Sequence, residues 1–351
     1  RDHADVAALR NVEEIAEQPF NSNTKRMISV ADAGDGPQAH LKGAPEVVLA
    51  MCDRIVLDGG EYVLDEERRA EVISAYRKLA GRGERGLAFA ARRCRRDEMP
   101  EEGYVFLGLT GMIDPPRPEV PEALARCHSA GIRVIMLTGD FGLTAKTIAR
   151  QIGLMGEHGR VVQGDELANM SDAKLQAILR DEPEILFARI APAQKMQVVQ
   201  ALQANQEIVT VTGDGVNDAP ALKNADMGVA MGIMGTDVAK EASNMVLMDD
   251  NFATIVAAVE EGRTIFDNIK KFIAYILTSN IPEILPFIAF VLLDIPLPLT
   301  VILILSIDLG TDIVPALGLG AEKPETDVMK RKPRPRGERL LIRNLLIMSY
   351  G

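Results

Sequence analysis

A glycine-rich loop with two carboxylates, Thr212 to Asp218, directly follows a short apolar run at Ile208 to Val211. The β-branched run predicts a buried parallel strand, and open parallel sheets bind ligands beyond the carboxyl ends of their strands. Glycines let backbone N–H groups approach a phosphate, while Asp214 and Asp218 supply the hard oxygen ligands that Mg²⁺ prefers. The loop therefore predicts a magnesium and phosphate site, and a plain tight turn is the alternative.

A second set of acidic side chains lies within two long apolar segments near the end of the chain. Phe272 to Leu293 carries Glu283 as its only charge, and Ile295 to Ala321 carries only Asp308 and Asp312. Each segment is long enough to cross a hydrocarbon core of about 30 Å, which predicts two membrane helices. A buried helical hairpin of a soluble protein is the alternative.

The acidic side chains in these segments are spaced to share a helix face, since residues three or four apart are neighbours on a helix. Each carboxylate near the bilayer centre costs roughly 2.5 to 3.5 kcal/mol on insertion scales, so a compensating cation is expected. Oxygen donors without Cys or His suit an alkali or alkaline-earth ion, or a proton, better than a soft metal. Polar contact between helices is the alternative. The candidate ion ligands are Ser279, Asn280, Glu283, Asp308, Thr311 and Asp312.

Basic residues flank the outer ends of the two apolar segments. Lys270 and Lys271 precede the first segment and five Lys and Arg side chains occupy residues 330–336, whereas the turn at Asp294 has none. Cytoplasmic flanks of membrane helices are rich in Lys and Arg, so both basic ends are expected in the cytoplasm. Leu340 to Tyr350 would then begin a third span.

The section before these segments alternates short apolar strands with amphipathic helices from residue 111 to about 262. This alternation predicts an α/β fold with a doubly wound parallel sheet. Residues 1–110 mix strand-like runs with polar turns and a charged helix, and predict a mixed α and β domain. The predicted parallel strands are Ile132 to Leu137, Ile185 to Ala188, Ile208 to Val211, Met227 to Ala230 and Met245 to Leu247.

Composition excludes some classes of protein. The 351 residues carry a net charge of −11 and no overall basic balance that would neutralise phosphates, which argues against a nucleic-acid partner. Three cysteines and four histidines, widely spaced, argue against a disulfide framework or a zinc site. The sequence starts at Arg1 and ends within an apolar run, so we expect an interior piece of a longer protein.

Several motifs resemble those of the P-type cation-transporting ATPases. Four are similar to the phosphorylation domain of that family: MIDPPR (112–117), MLTGD (136–140), FARIAPAQK (187–195) and TGDGVNDAPAL (212–222). PFNS (19–22) and KGAPE (42–46) look like the nucleotide-binding domain, and TSNIPE (278–283) looks like a membrane signature. The resemblance runs over essentially the whole chain.

The resemblance implies an arrangement of domains. Residues 1–110 would be a mixed α+β nucleotide-binding domain, and residues 111–262 a phosphorylation domain with the haloacid-dehalogenase-like doubly wound sheet. Residues 263–351 would be the stalk and transmembrane helices. The family's phosphorylated Asp lies in a DKTGT motif that does not occur here, so this segment is expected upstream of Arg1. The chain by itself is then expected to be inactive.

The resemblance also implies ATP as substrate, Mg²⁺ as cofactor and roles for individual residues. The nucleotide contacts would be Phe20, Lys25, Lys42, Arg85 and Arg189. The phosphoryl-transfer residues would be Thr138, Gly139, Asp140, Lys195, Asp214, Asn217 and Asp218, with Asp214 and Asp218 holding magnesium. Outside that context, a lone Phe is usually core, and Lys or Arg is usually a solvated surface residue. We expect Asp249 and Asp250 to be solvated turn acids.

The function implied is ATP-driven cation transport through an aspartyl phosphate, in a multi-pass protein of the plasma membrane. SIDLGTDIVPA (306–316) and MKRKPR (329–334) are closer to sodium/potassium and proton/potassium pumps than to calcium pumps, which usually carry Asn where Asp308 stands. Sodium export or sodium/potassium exchange is therefore expected, with a calcium exporter as the alternative. A soluble haloacid-dehalogenase phosphatase and a non-catalytic regulator are more remote alternatives. The sequence does not decide whether an accessory subunit is present.

Overall fold

The computed structural model describes residues 12–21, 24–293, 295–297 and 299–337. The predicted third span at Leu340 to Tyr350 lies outside these residues. The chain divides into two compact units. The first consists of Arg1–Arg117 and Ile135–Val198, and the second of Pro118–Val134 and Val199–Gly351.

The first unit contains a seven-stranded sheet in the order β1-β2-β3-β6-β7-β4-β5, antiparallel except for the parallel pair β4 and β7. Helices α1 (Pro45–Ala50) and α2 (Glu66–Ala80) follow β3 and β5. Its core buries Ile28, Leu41 and Tyr104 almost completely. The strands are β1 (Glu13–Asn21), β2 (Arg26–Asp32), β3 (Pro37–Gly43), β4 (Cys52–Leu57), β5 (Gly60–Val63), β6 (Arg85–Arg93) and β7 (Tyr104–Met112).

The charged helix predicted in this region is confirmed, and its start has a clear cause. The Asp65 carboxylate accepts a hydrogen bond from the Arg68 backbone N–H at 2.9 Å, which caps the amino terminus of α2. Acidic residues occupy its first turn and basic residues its last turn, which favours the helix dipole. Tyr76 and Ala80 form its buried face.

A three-stranded parallel sheet in the order β8-β10-β9 completes the first unit. Every residue of its central strand, β10, is buried, as expected for a strand covered on both faces. Helix α7 continues from the first unit into the second. The elements are β8 (Met136–Leu137), α4 (Gly142–Gln151), β9 (Arg160–Gln163), α5 (Gly164–Ala168), α6 (Asp172–Asp181), β10 (Ile185–Ala188) and α7 (Pro192–Ala204).

The second unit contains another parallel sheet, in the order β11-β12-β13, and the long apolar helices. A π-helical turn at Asp308–Asp312 separates α11 from α12. The elements of the second unit are α3 (Val120–Ser129), β11 (Thr210–Gly213), α8 (Ala219–Asn224), β12 (Met227–Met231), α9 (Asp237–Ala242), β13 (Met245–Leu247), α10 (Phe252–Leu293), α11 (Val301–Ile307) and α12 (Ile313–Gly320).

The predicted parallel strands all occur, but in the described residues they form two separate three-stranded sheets instead of the single sheet expected, and two of them begin later than expected. Ile132 and Val134 pack on the hydrophobic cluster around Val256 instead of joining a sheet, so β8 is only Met136–Leu137. Ile208 is 59% exposed, and the ladder of β11 starts at Thr210. An apolar run in a sequence does not reveal which of its residues pack on a helix and which pair in a sheet.

Both apolar segments form helices that are long and apolar enough to cross a membrane. The first helix is continuous over 42 residues from Phe252, about 60 Å at the α-helical rise. The predicted span at Phe272 to Leu293 and the predicted stalk before it therefore lie in a single helix. The second starts at Val301 instead of Ile295. Pro296 disfavours helix in the residue before it, and the Thr300 hydroxyl caps the new start.

The segment after α12 is tied back to α10 by side chains of that helix. Arg263 donates to the carbonyls of Val328 and Arg331, and buried Asn268 donates to the Glu322 carbonyl at 2.8 Å. Lys271 pairs with the Glu322 carboxylate at 2.7 Å. These contacts fix the cytoplasm-facing ends predicted for the two helices to one another.

The buried sheet of the first unit should depend on Leu41. Leu41 is 1% exposed, so we expect Leu41→Ala to lower the free energy of unfolding by about 2 to 5 kcal/mol. Leu57→Ala, at a site 39% exposed in the same sheet, should cost about 1 kcal/mol or less. Urea unfolding followed by circular dichroism measures both, and equal losses would contradict this core.

Candidate functional sites

Three carboxylates converge between the apolar helices. Glu283 of α10 and Asp308 and Asp312 of the π-helical turn each place an oxygen within 4.8 Å of the others. Asp312 is only 5% exposed. The acidic faces of the two segments therefore meet, and three carboxyl groups share one small volume.

Hydroxyl groups surround Asp312. Ser279 donates to its Oδ2 at 2.6 Å, and the Thr311 hydroxyl, which donates to the Ile307 carbonyl at 2.7 Å, lies 3.3 Å from its Oδ1. Tyr275 donates to the Thr311 carbonyl at 2.9 Å. Tyr275, Ser279 and Glu283 are four apart in sequence, so they form one stripe along α10. Sequence reasoning missed Tyr275, although this spacing was a signal for it.

The predicted ligand Asn280 lies beside this stripe and is exposed. Five of the six candidates, Asp312 among them, therefore lie in this cluster, and Asn280 lies outside it. The role of Asn280 as an ion ligand stays a prediction.

The π-helical turn explains how two acids four residues apart face the same neighbour. The Ile313 N–H bonds to the Asp308 carbonyl, five residues back, so this turn is wider than an α-helical one. Single π-helical turns within α-helices are frequently found at functional sites. Carboxylate and hydroxyl oxygens are the donors that a hard cation prefers, so this cluster is a candidate cation site.

A second group of candidate residues lies at the carboxyl end of β8 in the first unit. The Thr138 N–H bonds to the Phe187 carbonyl at 2.9 Å, and its hydroxyl accepts from the Asp140 N–H at 3.1 Å. A side chain at Gly139 would meet nothing within 4 Å, so the backbone there is open to a ligand. The Arg189 N–H bonds to the Asp140 carbonyl at 3.1 Å, which brings MLTGD and FARIAPAQK together.

Glu46 and Phe141 both contact the Arg189 guanidinium. The guanidinium donates to Glu46 at 2.8 Å and lies 5.1 Å from the centre of the Phe141 ring. Tyr76 packs on the same ring, and burial beside the Glu46 carboxylate raises the pKa of Tyr76 to about 12. Sequence reasoning missed these partners, which are far from Arg189 in the chain. Arg85, another candidate, pairs with Asp140.

The remaining nucleotide-contact candidates differ in exposure. Phe20 is 63% exposed and Lys42 is exposed, so both side chains are accessible to a ligand. Lys25 is half-buried, and burial together with the charge of Arg189 lowers its pKa. A side chain at Gly43 would lie 2.5 Å from the Lys25 carbonyl, so glycine is needed where KGAPE passes Lys25. Lys195 lies on α7 and is half-buried.

The glycine-rich loop of the second unit has a defined internal structure. Asp218 Oδ2 accepts from the N–H groups of Asp214 and Gly215 at 3.3 and 3.2 Å. The side chains of Asp214 and Asn217 are exposed. An exposed carboxylate beside a second acid that orders the loop is a donor set that fits Mg²⁺. Asp214 is the better direct ligand, because one oxygen of Asp218 is already engaged.

Asp250 contradicts its predicted role as a solvated turn acid. It is 5% exposed and accepts from the N–H groups of Ile233 and Met234 at 2.9 and 2.7 Å. Asp249 is exposed, as expected, and accepts from the Thr254 hydroxyl at the start of α10. Two adjacent acids in one turn cannot be distinguished by sequence alone, because the pairing partners of Asp250 are backbone groups.

Comparison with known proteins gives two family matches. Residues 4–119 match the model of the P-type ATPase cytoplasmic domain N, and residues 296–351 match that of the cation transporting ATPase C-terminus. The sodium/potassium-transporting ATPase subunit alpha-2 of Gallus gallus is 48% identical over 96% of this chain. The chain belongs to the P-type cation-transporting ATPases.

Other relatives within the P-type family give the same result. The sodium/potassium-transporting ATPase subunit alpha of Drosophila melanogaster is 48% identical, and subunit alpha-2 of Homo sapiens is 47% identical, each over 96% of this chain. The chain covers 36% and 37% of these two relatives. It therefore spans just over a third of the length of the ATPases that it matches.

The position of Arg189 predicts the reactivity of Lys25. Replacing Arg189 by Gln removes a neighbouring positive charge, so the pKa of Lys25 should rise and less neutral amine should be present at pH 8. Acylation of Lys25, quantified by mass spectrometry, should then be slower in Arg189→Gln. Labelling of exposed Lys42 is the internal control. An unchanged rate of Lys25 acylation would contradict the electrostatic effect of Arg189 on Lys25.

Proposed function

We propose that this chain is the catalytic and membrane part of an ATP-driven pump that exports sodium, or exchanges it for potassium, through an aspartyl phosphate. The convergence of Glu283, Asp308 and Asp312 between two apolar helices is the observation that carries the proposal. Three carboxylates in such surroundings need a positive charge, and a transported cation supplies it. The relatives are sodium/potassium-transporting ATPases, which favours sodium and potassium over calcium.

In this proposal the cytoplasmic residues bind ATP and neutralise charge on the transferred phosphoryl group. Phe20 stacks on adenine, and Lys25 and Lys42 line the nucleotide pocket. Arg85 reaches the phosphates, and Arg189 holds the ribose side with Asp140. Glu46 and Phe141 support this by fixing the Arg189 guanidinium. Preorganised donors and cations aimed at the phosphoryl oxygens are the main means by which proteins catalyse such transfer.

The phosphoryl-transfer roles are assigned from chemistry and position. Thr138 and Gly139 donate hydrogen bonds to the phosphoryl oxygens, and Lys195 neutralises their charge. Asp214, supported by Asn217 and Asp218, holds Mg²⁺. When bound, this ion neutralises phosphate charge in addition to Lys195. We propose that the phosphoryl acceptor is the Asp of the family's DKTGT motif, and that residues 111–262 have the haloacid-dehalogenase-like doubly wound fold. The two parallel sheets support this assignment.

The membrane topology follows from charge. The basic residues at 270–271 and 330–336 place those ends of the spans in the cytoplasm, with the nucleotide-binding and phosphorylation domains on the same side. The plasma membrane is the proposed location.

The ion assignment is tested with the full-length protein in membranes. ATP hydrolysis is measured while sodium, potassium and calcium are varied separately. We expect stimulation by sodium, alone or with potassium. Stimulation by micromolar calcium alone would favour the calcium exporter, and recovery of the protein only in the cytosolic fraction would favour a soluble phosphatase.

Removing the charge of Asp312 should weaken cation binding without affecting the nucleotide. We expect Asp312→Asn to raise the sodium concentration for half-maximal stimulation by at least about tenfold, because one of three clustered charges is lost. Binding of a fluorescent ATP analogue measures the nucleotide affinity of the same preparation. Equal loss of both affinities would indicate misfolding and would not support the assigned role.

The hydroxyl groups of α10 offer a matched pair of variants. Ser279 donates to the Asp312 carboxylate at 2.6 Å, whereas Thr278 donates to the Ala274 carbonyl of its own helix at 2.8 Å. Ser279→Ala should therefore raise the half-saturating sodium concentration by roughly tenfold, as for loss of a hydrogen bond to a charged group. Thr278→Ala should change it little. The opposite order would contradict the geometry of the cluster.

A further inference from the structure

A tight loop after β12 packs closely against the chain that leads into α10. The Gly232 N–H bonds to the Leu247 carbonyl at 2.8 Å. A side chain at Gly232 would lie 2.5 Å from that carbonyl, and one at Gly235 would lie 1.9 Å from the Met231 carbonyl. Backbone meets backbone here, so residues 231–236 (the 231–236 loop) have little room to move independently of the residues before α10.

The carboxylate of Asp250 closes this contact. Both of its oxygens are used, since Oδ1 accepts from the Ile233 N–H at 2.9 Å and Oδ2 from the Met234 N–H at 2.7 Å. The side chain is 5% exposed, so water does not replace these bonds. Its backbone has φ +51°, a conformation that Asp and Asn adopt more readily than most residues. Helix α10 starts two residues later, at Phe252.

The other end of the 231–236 loop contacts the glycine-rich loop. The Thr236 N–H bonds to the Asp214 carbonyl at 2.8 Å, and the Thr236 hydroxyl accepts from the Ala239 N–H at the start of α9. The 231–236 loop is therefore hydrogen-bonded to the backbone of Asp214 at one end and to the Asp250 carboxylate at the other. Asp250 lies just before the helix that carries Glu283.

We propose that Asp250 is a positioning residue that holds the 231–236 loop, and through Thr236 the backbone of Asp214, in a fixed position relative to the start of α10. The hydrogen bonding itself is independent of the proposed function. Its consequence rests on that function: movement of the Asp214 loop during phosphoryl transfer is passed to α10, and thereby to the cation cluster.

Asp250→Asn isolates the effect of the carboxylate. Asn has the same shape and tolerates the same backbone conformation, but it presents an NH₂ group to a backbone N–H where Asp presents an oxygen. One of the two bonds to the loop is therefore lost while the turn is retained. Asp249→Asn is the matched control, because Asp249 is adjacent, exposed and bonded to Asn251 and Thr254 instead of the loop.

Amide hydrogen exchange of the full-length protein in membranes tests the positioning directly. In Asp250→Asn we expect exchange to be at least about fivefold faster in peptides covering 231–236 and also in those covering 213–218, which Asp250 does not touch. Asp249→Asn should leave both unchanged, and unchanged exchange in the seven-stranded sheet shows that the variant is folded. Faster exchange limited to 231–236, or no change, would overturn the proposal.

The consequence for coupling is measured through ion affinity. In the wild type and in Asp249→Asn, Mg²⁺ with a fluoroaluminate phosphate analogue should shift the half-saturating sodium concentration by about fivefold or more, since linked sites alter each other's affinity. In Asp250→Asn this shift should fall below about twofold, and a full shift would contradict the coupling role. A wild type without ATP-driven ion transport would refute the proposed function, and the exchange result would still decide the positioning role.

Discussion

The convergence of three carboxylates between apolar helices is the constraint on which the rest of the structure depends. Glu283, Asp308 and Asp312 lie within 4.8 Å of one another, and in an apolar medium such a group is unfavourable without a positive charge. Hydroxyl groups orient Asp312, and a π-helical turn directs both aspartates to α10. The arrangement supports the proposal of an ion that enters and leaves, because a permanent structural role would be served better by apolar side chains.

Helix α10 connects this cluster to the part of the second unit that contains its parallel sheet. It is continuous over 42 residues, so one element carries Glu283 near one end and begins next to the Asp250 turn at the other. Arg263 and Asn268 bind it to the segment after α12. A stiff helix with fixed contacts at its start and along its first half can transmit displacement towards Glu283.

Sequence patterns predicted features that depend on spacing and missed those that depend on long-range packing. The convergence of Ser279, Glu283 and Asp312 followed from helical spacing and the cost of charge in an apolar segment. Asp250 was misjudged because its partners are backbone N–H groups in a distant loop. Ile208 was placed in a buried strand from its residue type, and its exposure depends on where the ladder of β11 begins.

In the proposed function, the three carboxylates bind the transported cation. The most direct measurement is the anomalous scattering of thallium, a heavy substitute for an alkali ion, in crystals of the full-length protein. We expect a thallium peak within coordination distance of Glu283, Asp308 and Asp312, and we expect Asp312→Asn to weaken or abolish it. Thallium bound elsewhere in the membrane region, with none at these carboxylates, would contradict it.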